Sequence, residues 1–223
     1  MNVLITGSTG MVGKSVLIEC IKDERVKKIF LLNRVSSKIE SSKISEFLLK
    51  DFLNLKALKN QIKKCDACFH CMGITSFGQD NSYYFKVTYE MTKALADFVY
   101  EINSNAIMTY VSGEGTSTKE NSKIRWANVK GKTENYILKK GFKDAYMIRL
   151  GLLIPENGIT AKTKLYNIFY SLIAPFFPIM KMIPSITTSS KLGLAMINCF
   201  YFPNHVKYLD NRAINKLSII HLG

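Results

Sequence analysis

The first fifteen residues, MNVLITGSTGMVGKS, set a short apolar run, Val3-Leu4-Ile5, directly against closely spaced glycines. A buried-type strand that runs into such a turn and then into a helix is the opening of a phosphate-binding βα unit. Two phosphate loops overlap here. A Walker A loop needs Gly-x4-Gly-Lys-Ser/Thr; Gly13, Lys14 and Ser15 supply its end, but Ser8 stands where its first glycine belongs. No Walker B aspartate follows either, since the run Ile29–Leu32 ends in Asn33. The alternative uses Gly7, Gly10 and Gly13. Gly7 allows the tight turn, Gly10 lets backbone approach a pyrophosphate, and Gly13 lets helix pack close on strand. Thr9, Met11 and Val12 complete this loop as cofactor-contact candidates. The dinucleotide reading is the one the spacing supports.

Beyond the loop, strand-like runs alternate with helical patterns. Strands are expected at Val3–Thr6, Lys28–Asn33, near Phe47–Lys50, and at Ala67–Cys71, Ile107–Ser112 and Ala145–Leu150. Helices are expected at about Met11–Ile21, Asn54–Lys63, Tyr84–Glu101 and Arg125–Lys140, the third carrying a core stripe of Val87, Met91, Leu95 and Phe98. This alternation predicts an α/β fold with a doubly wound parallel sheet. At 223 residues the chain suits one domain, residues 151–223 adding a small substrate lobe. A helix around Ser190–Phe200 and a strand–helix unit around Val206–Leu217 are expected there. Leu165–Ile183 is apolar almost all round, yet Pro175, Pro178 and Lys181 interrupt it, against a membrane-crossing helix. It is expected to be a buried cover over a pocket, with a membrane-surface contact as the alternative.

The end of the second strand bears on the cofactor. A site for NAD ordinarily places an acidic residue there to bond the ribose hydroxyls. This chain has Asn33 and Arg34, followed by Ser36, Ser37 and Lys38. An arginine pairs with a 2′-phosphate that an aspartate would repel, so NADP(H) is expected over NAD(H).

Several segments then carry a resemblance. TGSTGMVG is similar to the TGxTGxxG loop of the short-chain dehydrogenase/reductase superfamily, in its atypical or extended branch. KDFLNL, with Asp51 and Phe52, resembles the segment bordering the adenine. HCMGIT, with Cys71, Met72 and Gly73, resembles the fourth-strand end beside the cofactor. VSG resembles the serine motif, WANVKGKTENYIL the helix of the catalytic Tyr-x-x-x-Lys, and IRLG the turn after the sixth strand. The pattern is similar to nucleoside-diphosphate-sugar epimerases and to the oxidoreductase-like tumour-suppressor group. The resemblance implies a Rossmann fold and hydride transfer to a small carbonyl or sugar-type substrate, which the sequence does not name.

It also implies that Lys130 binds the nicotinamide ribose and that Ser112 orients the substrate. The expected tyrosine, however, is Trp126. Indole N–H is a donor only and exchanges no proton at neutral pH. Glu114, a loop hydroxyl or a water held by Lys130 would have to serve instead. A catalytically weak, cofactor-binding regulatory protein is therefore the second reading.

The remaining features constrain less. A net charge of +14 arises from 31 basic and 17 acidic residues, but only five of the basic ones are arginines and no dense run occurs. Specific nucleic-acid binding is not expected. Cys65, Cys68 and Cys71 flank His70 without a second cysteine pair, and strand alternation separates the thiols, so no metal site is expected. With no secretory signal visible, five cysteines read as reduced cytosolic thiols, giving a cytoplasmic expectation. A monomer or homodimer is expected.

Overall fold

The structure, a computed structural model, describes residues 1–160 and 164–220. Its centre is a parallel sheet of seven strands: β1 (Asn2–Thr6), β2 (Lys28–Asn33), β3 (Ile44–Leu48), β4 (Ala67–His70), β5 (Ile107–Val111), β6 (Asp144–Ile148) and the short β9 (Tyr208–Leu209). The spatial order is β3-β2-β1-β4-β5-β6-β9. Strand order reverses between β1 and β4, which leaves a crevice at their carboxyl ends.

The near-continuous apolar character of the inner strands follows from burial on both faces. Val3 and Ile5 join Leu31, Phe69 and Ile148 in one core layer, whereas Leu4 joins Leu32, Cys68, Met108 and Met147 in the other. The first layer is covered by α1 (Met11–Lys22), α7 (Ser189–Tyr201) and α8 (Asn211–Ser218). In α1, Gly13, Val16, Leu17 and Cys20 form the buried stripe that helical spacing requires. The second layer is covered by α3 (Met91–Ile102) and α4 (Arg125–Lys139). A short α2 (Asn81–Phe85) leads into α3 through a π-helical turn at Lys86–Glu90. The fold class is thus the expected Rossmann-type α/β arrangement.

Two elements differ from expectation. The third strand begins at Ile44, before the expected Phe47–Lys50. The expected helix Asn54–Lys63 is a single 3-10 turn at Lys56–Leu58. Leu55, Leu58 and Ile62 are buried with that one turn, so no longer helix is needed to bring them under the sheet.

The segment 165–183 is also corrected. Its described side chains do not form a buried cover. Ile168, Leu172, Phe176, Ile179 and Met182 are each more than half exposed. The physical reason is the prolines. Pro175 and Pro178 each open a new short helical piece, dividing the stretch into α5 (Lys164–Ile173), a 3-10 turn (Ala174–Phe176) and α6 (Phe177–Met180). No unbroken face remains to lie on the sheet. Among the described residues no helix is long and apolar enough to cross a membrane. A two-stranded parallel pair, β7 (Leu153–Ile154) with β8 (Thr187–Thr188), ties the ends of this excursion together.

Candidate functional site

The crevice between β1 and β4 is a cleft of about 510 Å³. Gly7, Thr9, Gly10, Asn33, Arg34, Phe52, Cys71, Met72 and Gly73 line it, together with Leu32, Val35 and Ile74. Gly7 and Gly73, far apart in sequence, meet there because β1, β2 and β4 end side by side.

The glycine loop is held by sterics on every side. Gly7 adopts φ +71°, and a Cβ there would lie 2.7 Å from both the Cys71 carbonyl oxygen and the Met72 amide nitrogen. A Cβ on Gly13 would lie 2.2 Å from the Gly7 carbonyl oxygen, so α1 abuts the loop as closely as backbone allows. The Gly10 N–H donates to the Gly7 oxygen at 2.9 Å. Gly10 caps α1 with extended backbone and no side-chain capping bond, and the first turn carries no acidic residue. Met11, Val12 and Gly13 therefore open the helix with N–H groups that have no acceptor within it, and with the positive end of its dipole. Such a cradle fits a pyrophosphate. Met11, Val12 and Gly13 act from behind the wall rather than lining it.

At one end of the cleft lie Asn33, Arg34, Val35 and Phe52. Arg34 and Val35 are exposed, whereas Phe52 is buried to within 1%. Asn33 is buried, and its amide nitrogen donates to Ser8 Oγ at 2.7 Å and to Glu46 Oε1 at 2.8 Å. Ser8 Oγ in turn donates to Asn33 Oδ1 at 3.0 Å. The glycine loop is thus tied to the end of β2. Asp51 does not reach the cleft; it accepts the Leu53 N–H and shapes a turn. Glu46 is the residue that sequence reading missed. The only signal for it was a lone acid inside the apolar run ISEFL, paired beside Leu31.

At the other end, Cys71, Met72, Gly73 and Ile74 leave β4 beside Ser112 and Gly113, which leave β5, since His70 pairs with Tyr110. A Cβ on Gly73 would meet nothing within 4 Å, so the space beside it is cleft. Ser112 is buried and donates to Glu134 Oε1 at 2.6 Å. Glu134 is fully buried, and its other oxygen accepts from Arg149 at 2.6 Å. The Ser112 proton is therefore committed to this ion pair rather than to the cleft.

Lys130 Nζ donates to the Ser112 carbonyl at 2.5 Å. Burial pushes the Lys130 ammonium down to about 8, against the pull of the Glu134 charge. Trp126, one turn earlier on α4, spreads its ring over Gly115, 3.5 Å from where a Cβ would stand. Glu114 is exposed and reaches Gly151, where a Cβ would lie 2.7 Å from its Oε2. Neither Tyr83 nor Tyr89 lines the cleft; Tyr89 packs on Phe85 and Tyr136.

His70 is fully buried between Thr6 Oγ1 at 2.6 Å and Thr92 Oγ1 at 2.8 Å, and burial lowers it to about 3. It is a neutral core residue. Cys68 sits in one core layer and Cys71 against the other, so their thiols do not converge.

A parallel sheet with this strand reversal and a glycine cradle at its crevice defines a Rossmann-type nicotinamide-dinucleotide protein of the atypical short-chain dehydrogenase/reductase kind. Residues 3–149 match the NAD dependent epimerase/dehydratase family, and the chain belongs to it. It is 27% identical over 158 residues to the protein FMP52, mitochondrial, of Meyerozyma guilliermondii, covering 70% of this chain and 67% of that one. It is 25% identical over 174 residues to FMP52-1, mitochondrial, of Scheffersomyces stipitis, covering 75% and 74%. In fold it resembles a UDP-glucuronic acid 4-epimerase from Bacillus cereus solved with UDP-glucuronic acid and NAD. That likeness has a TM-score of 0.67 at 13% identity, over 94% of this chain and 77% of that one. The mitochondrial naming of both relatives overturns the cytoplasmic expectation. That expectation rested on reduced thiols, which do not distinguish one reducing compartment from another.

Proposed function

We propose that this protein is an NADP(H)-binding reductase- or epimerase-like member of its family, acting on a small carbonyl or sugar-type substrate and residing in mitochondria. One observation carries the reading: a single cleft runs from Arg34 past Gly7 and Gly10 to Gly73. The Gly7 and Gly13 cradle and the uncapped start of α1 suit the pyrophosphate. Arg34 supplies a cation beside the adenosine ribose, and Lys130 stands at the nicotinamide end. A nicotinamide dinucleotide supplies the hydride carrier. This chain's part is to orient it, to hold the substrate under Trp126 and to exclude water.

A second reading, a regulatory protein with weak catalysis, is favoured by Trp126. With that side chain unable to exchange a proton and the Ser112 hydroxyl turned to Glu134, acid–base help worth about 10²–10⁴-fold is missing from its usual place. The location is supported by the names of the two relatives. The test of the cofactor is titration with NADPH and NADH, read by fluorescence. Arg34→Ala should weaken NADPH roughly ten- to hundredfold, through loss of a charge-assisted bond, and leave NADH nearly unchanged. Equal losses would remove NADP(H) from the reading.

A further inference from the structure

We infer that Glu46 on β3 weakens the preference of the cleft for NADP(H) by holding, as a fixed anion, donors that a 2′-phosphate would need. The inference rests on the dinucleotide reading above. Glu46 Oε1 accepts from Asn33 Nδ2 and from the Ser37 N–H, both at 2.8 Å. Its Oε2 accepts from Ser36 Oγ at 2.7 Å. These donors follow directly on the end of β2, where Asn33 and Arg34 line the cleft. Burial opposes ionisation of Glu46, but bonds from Ser36, Ser37 and Asn33 outweigh it and hold its carboxyl below the usual range.

The acidic residue absent from the end of β2 is thus replaced by one reaching across from β3. The replacement differs in kind. Glu46 stands behind the lining, so it acts on a bound ribose through Asn33, Ser36 and Ser37, and only on a charged group there through its own charge as well. A ribose hydroxyl is indifferent to that charge at this remove. A 2′-phosphate, with about −1.5 to −2 charges at neutral pH, meets both a competitor for its donors and a like charge. Arg34 attracts the phosphate while Glu46 repels it. The two together make discrimination between NADP(H) and NAD(H) shallow, less than Arg34 alone would give.

The experiment compares wild type, Glu46→Gln, Glu46→Met and Arg34→Ala, titrated with NADPH, NADH and the fragments 2′,5′-ADP and 5′-AMP. Glutamine keeps an acceptor for Asn33 and the Ser37 N–H; methionine removes all polarity and repeats the test if glutamine fails to fold. Melting temperatures confirm folding of each. Glu46→Gln should tighten NADPH and 2′,5′-ADP by about three- to thirtyfold at low salt, and the gain should shrink at 0.5 M salt, where screening is stronger. NADH and 5′-AMP should move less than about twofold, because no charge is placed beside Glu46. A proportional weakening of all four ligands would show that Glu46 merely braces the turn, and would overturn the inference while leaving the dinucleotide reading intact. Failure of wild type to bind either dinucleotide would end both.

Discussion

Replacing Gly73 by alanine should separate space kept for a ligand from space kept for packing. Gly73 lines the cleft, and its backbone is not left-handed. A Cβ there meets nothing within 4 Å. Alanine therefore introduces no clash in the free protein and restricts the unfolded chain, a gain of about 0.4–1 kcal/mol. For a chain of this size the melting temperature should rise by about 1–4 °C. Gly7→Ala is the opposite case. Alanine must there adopt φ +71° and place Cβ 2.7 Å from two backbone atoms of the β4 end. The left-handed backbone costs about 1–2 kcal/mol and the clash about 1–3 more, lowering the melting temperature by roughly 4–20 °C. Both variants should lose cofactor affinity. In Gly73→Ala the new methyl occupies ligand volume, a penalty of about 1–3 kcal/mol or 5- to 150-fold in Kd. Differential scanning fluorimetry without ligand and fluorescence titration with NADPH give the two readouts. A Gly73→Ala protein that melts as low as Gly7→Ala, or that binds NADPH unchanged, would refute the division of roles.

Trp126→Tyr, which puts a phenol one turn from Lys130, should raise NADPH oxidation against a panel of aldehydes, ketones and quinones or leave it at background. A robust wild-type turnover abolished by the change would make the indole part of a working site and end the regulatory reading. Lys130 has its folded-state value lowered, from 10.5 to about 8. The unfolded chain binds the extra proton between those values, so stability should rise with pH across about 8 to 10.5, by on the order of 2 kcal/mol once its partial exposure is discounted. Denaturant melts of wild type and Lys130→Met at pH 7 and pH 10 check the sign: the gain should be absent from the variant. Arg149→Met leaves the fully buried Glu134 charge without its partner and should cost about 3–5 kcal/mol in a urea melt. Adding Glu134→Gln should recover much of that loss.

The order of strands and helices was legible because burial on both sides of a parallel sheet writes continuous apolar runs, and helices write a 3.6-residue period. The glycine loop was legible for a steric reason: the contacts at Gly7 and Gly13 admit no side chain, so the residue type itself records the backbone path. Glu46 left no such trace. Its role arises from β3 lying against β2, and a single acid in ISEFL reads equally well as a solvated strand residue. The commitment of the Ser112 hydroxyl was hidden similarly, since Glu134 reaches it from the next helix face. Segment 165–183 misled because hydrophobicity reports a tendency to be covered without reporting that prolines have cut the face that would cover it. Location was beyond reach of the thiol argument, because reduced cysteines are common to more than one compartment.

The packing of α7 on α1 sets a limit on how this protein can be divided. Leu192, Ala195, Met196, Ile197 and Cys199 of α7 share one core layer with Val16, Leu17 and Cys20 of α1. The two helices approach so closely that a Cβ on Gly193 would lie 2.7 Å from Glu19 Cγ. α7 is thus the outer wall of the helix whose first turn frames the cleft, and β9 extends the same sheet from β6. A fragment trimmed to the family-matching residues 3–149 would contain every strand end and glycine of the candidate site, yet would bare the apolar flank of α1 to water. Such a fragment should aggregate rather than bind. The segments that seem an accessory lobe by chain position belong, mechanically, to the foundation of the phosphate loop.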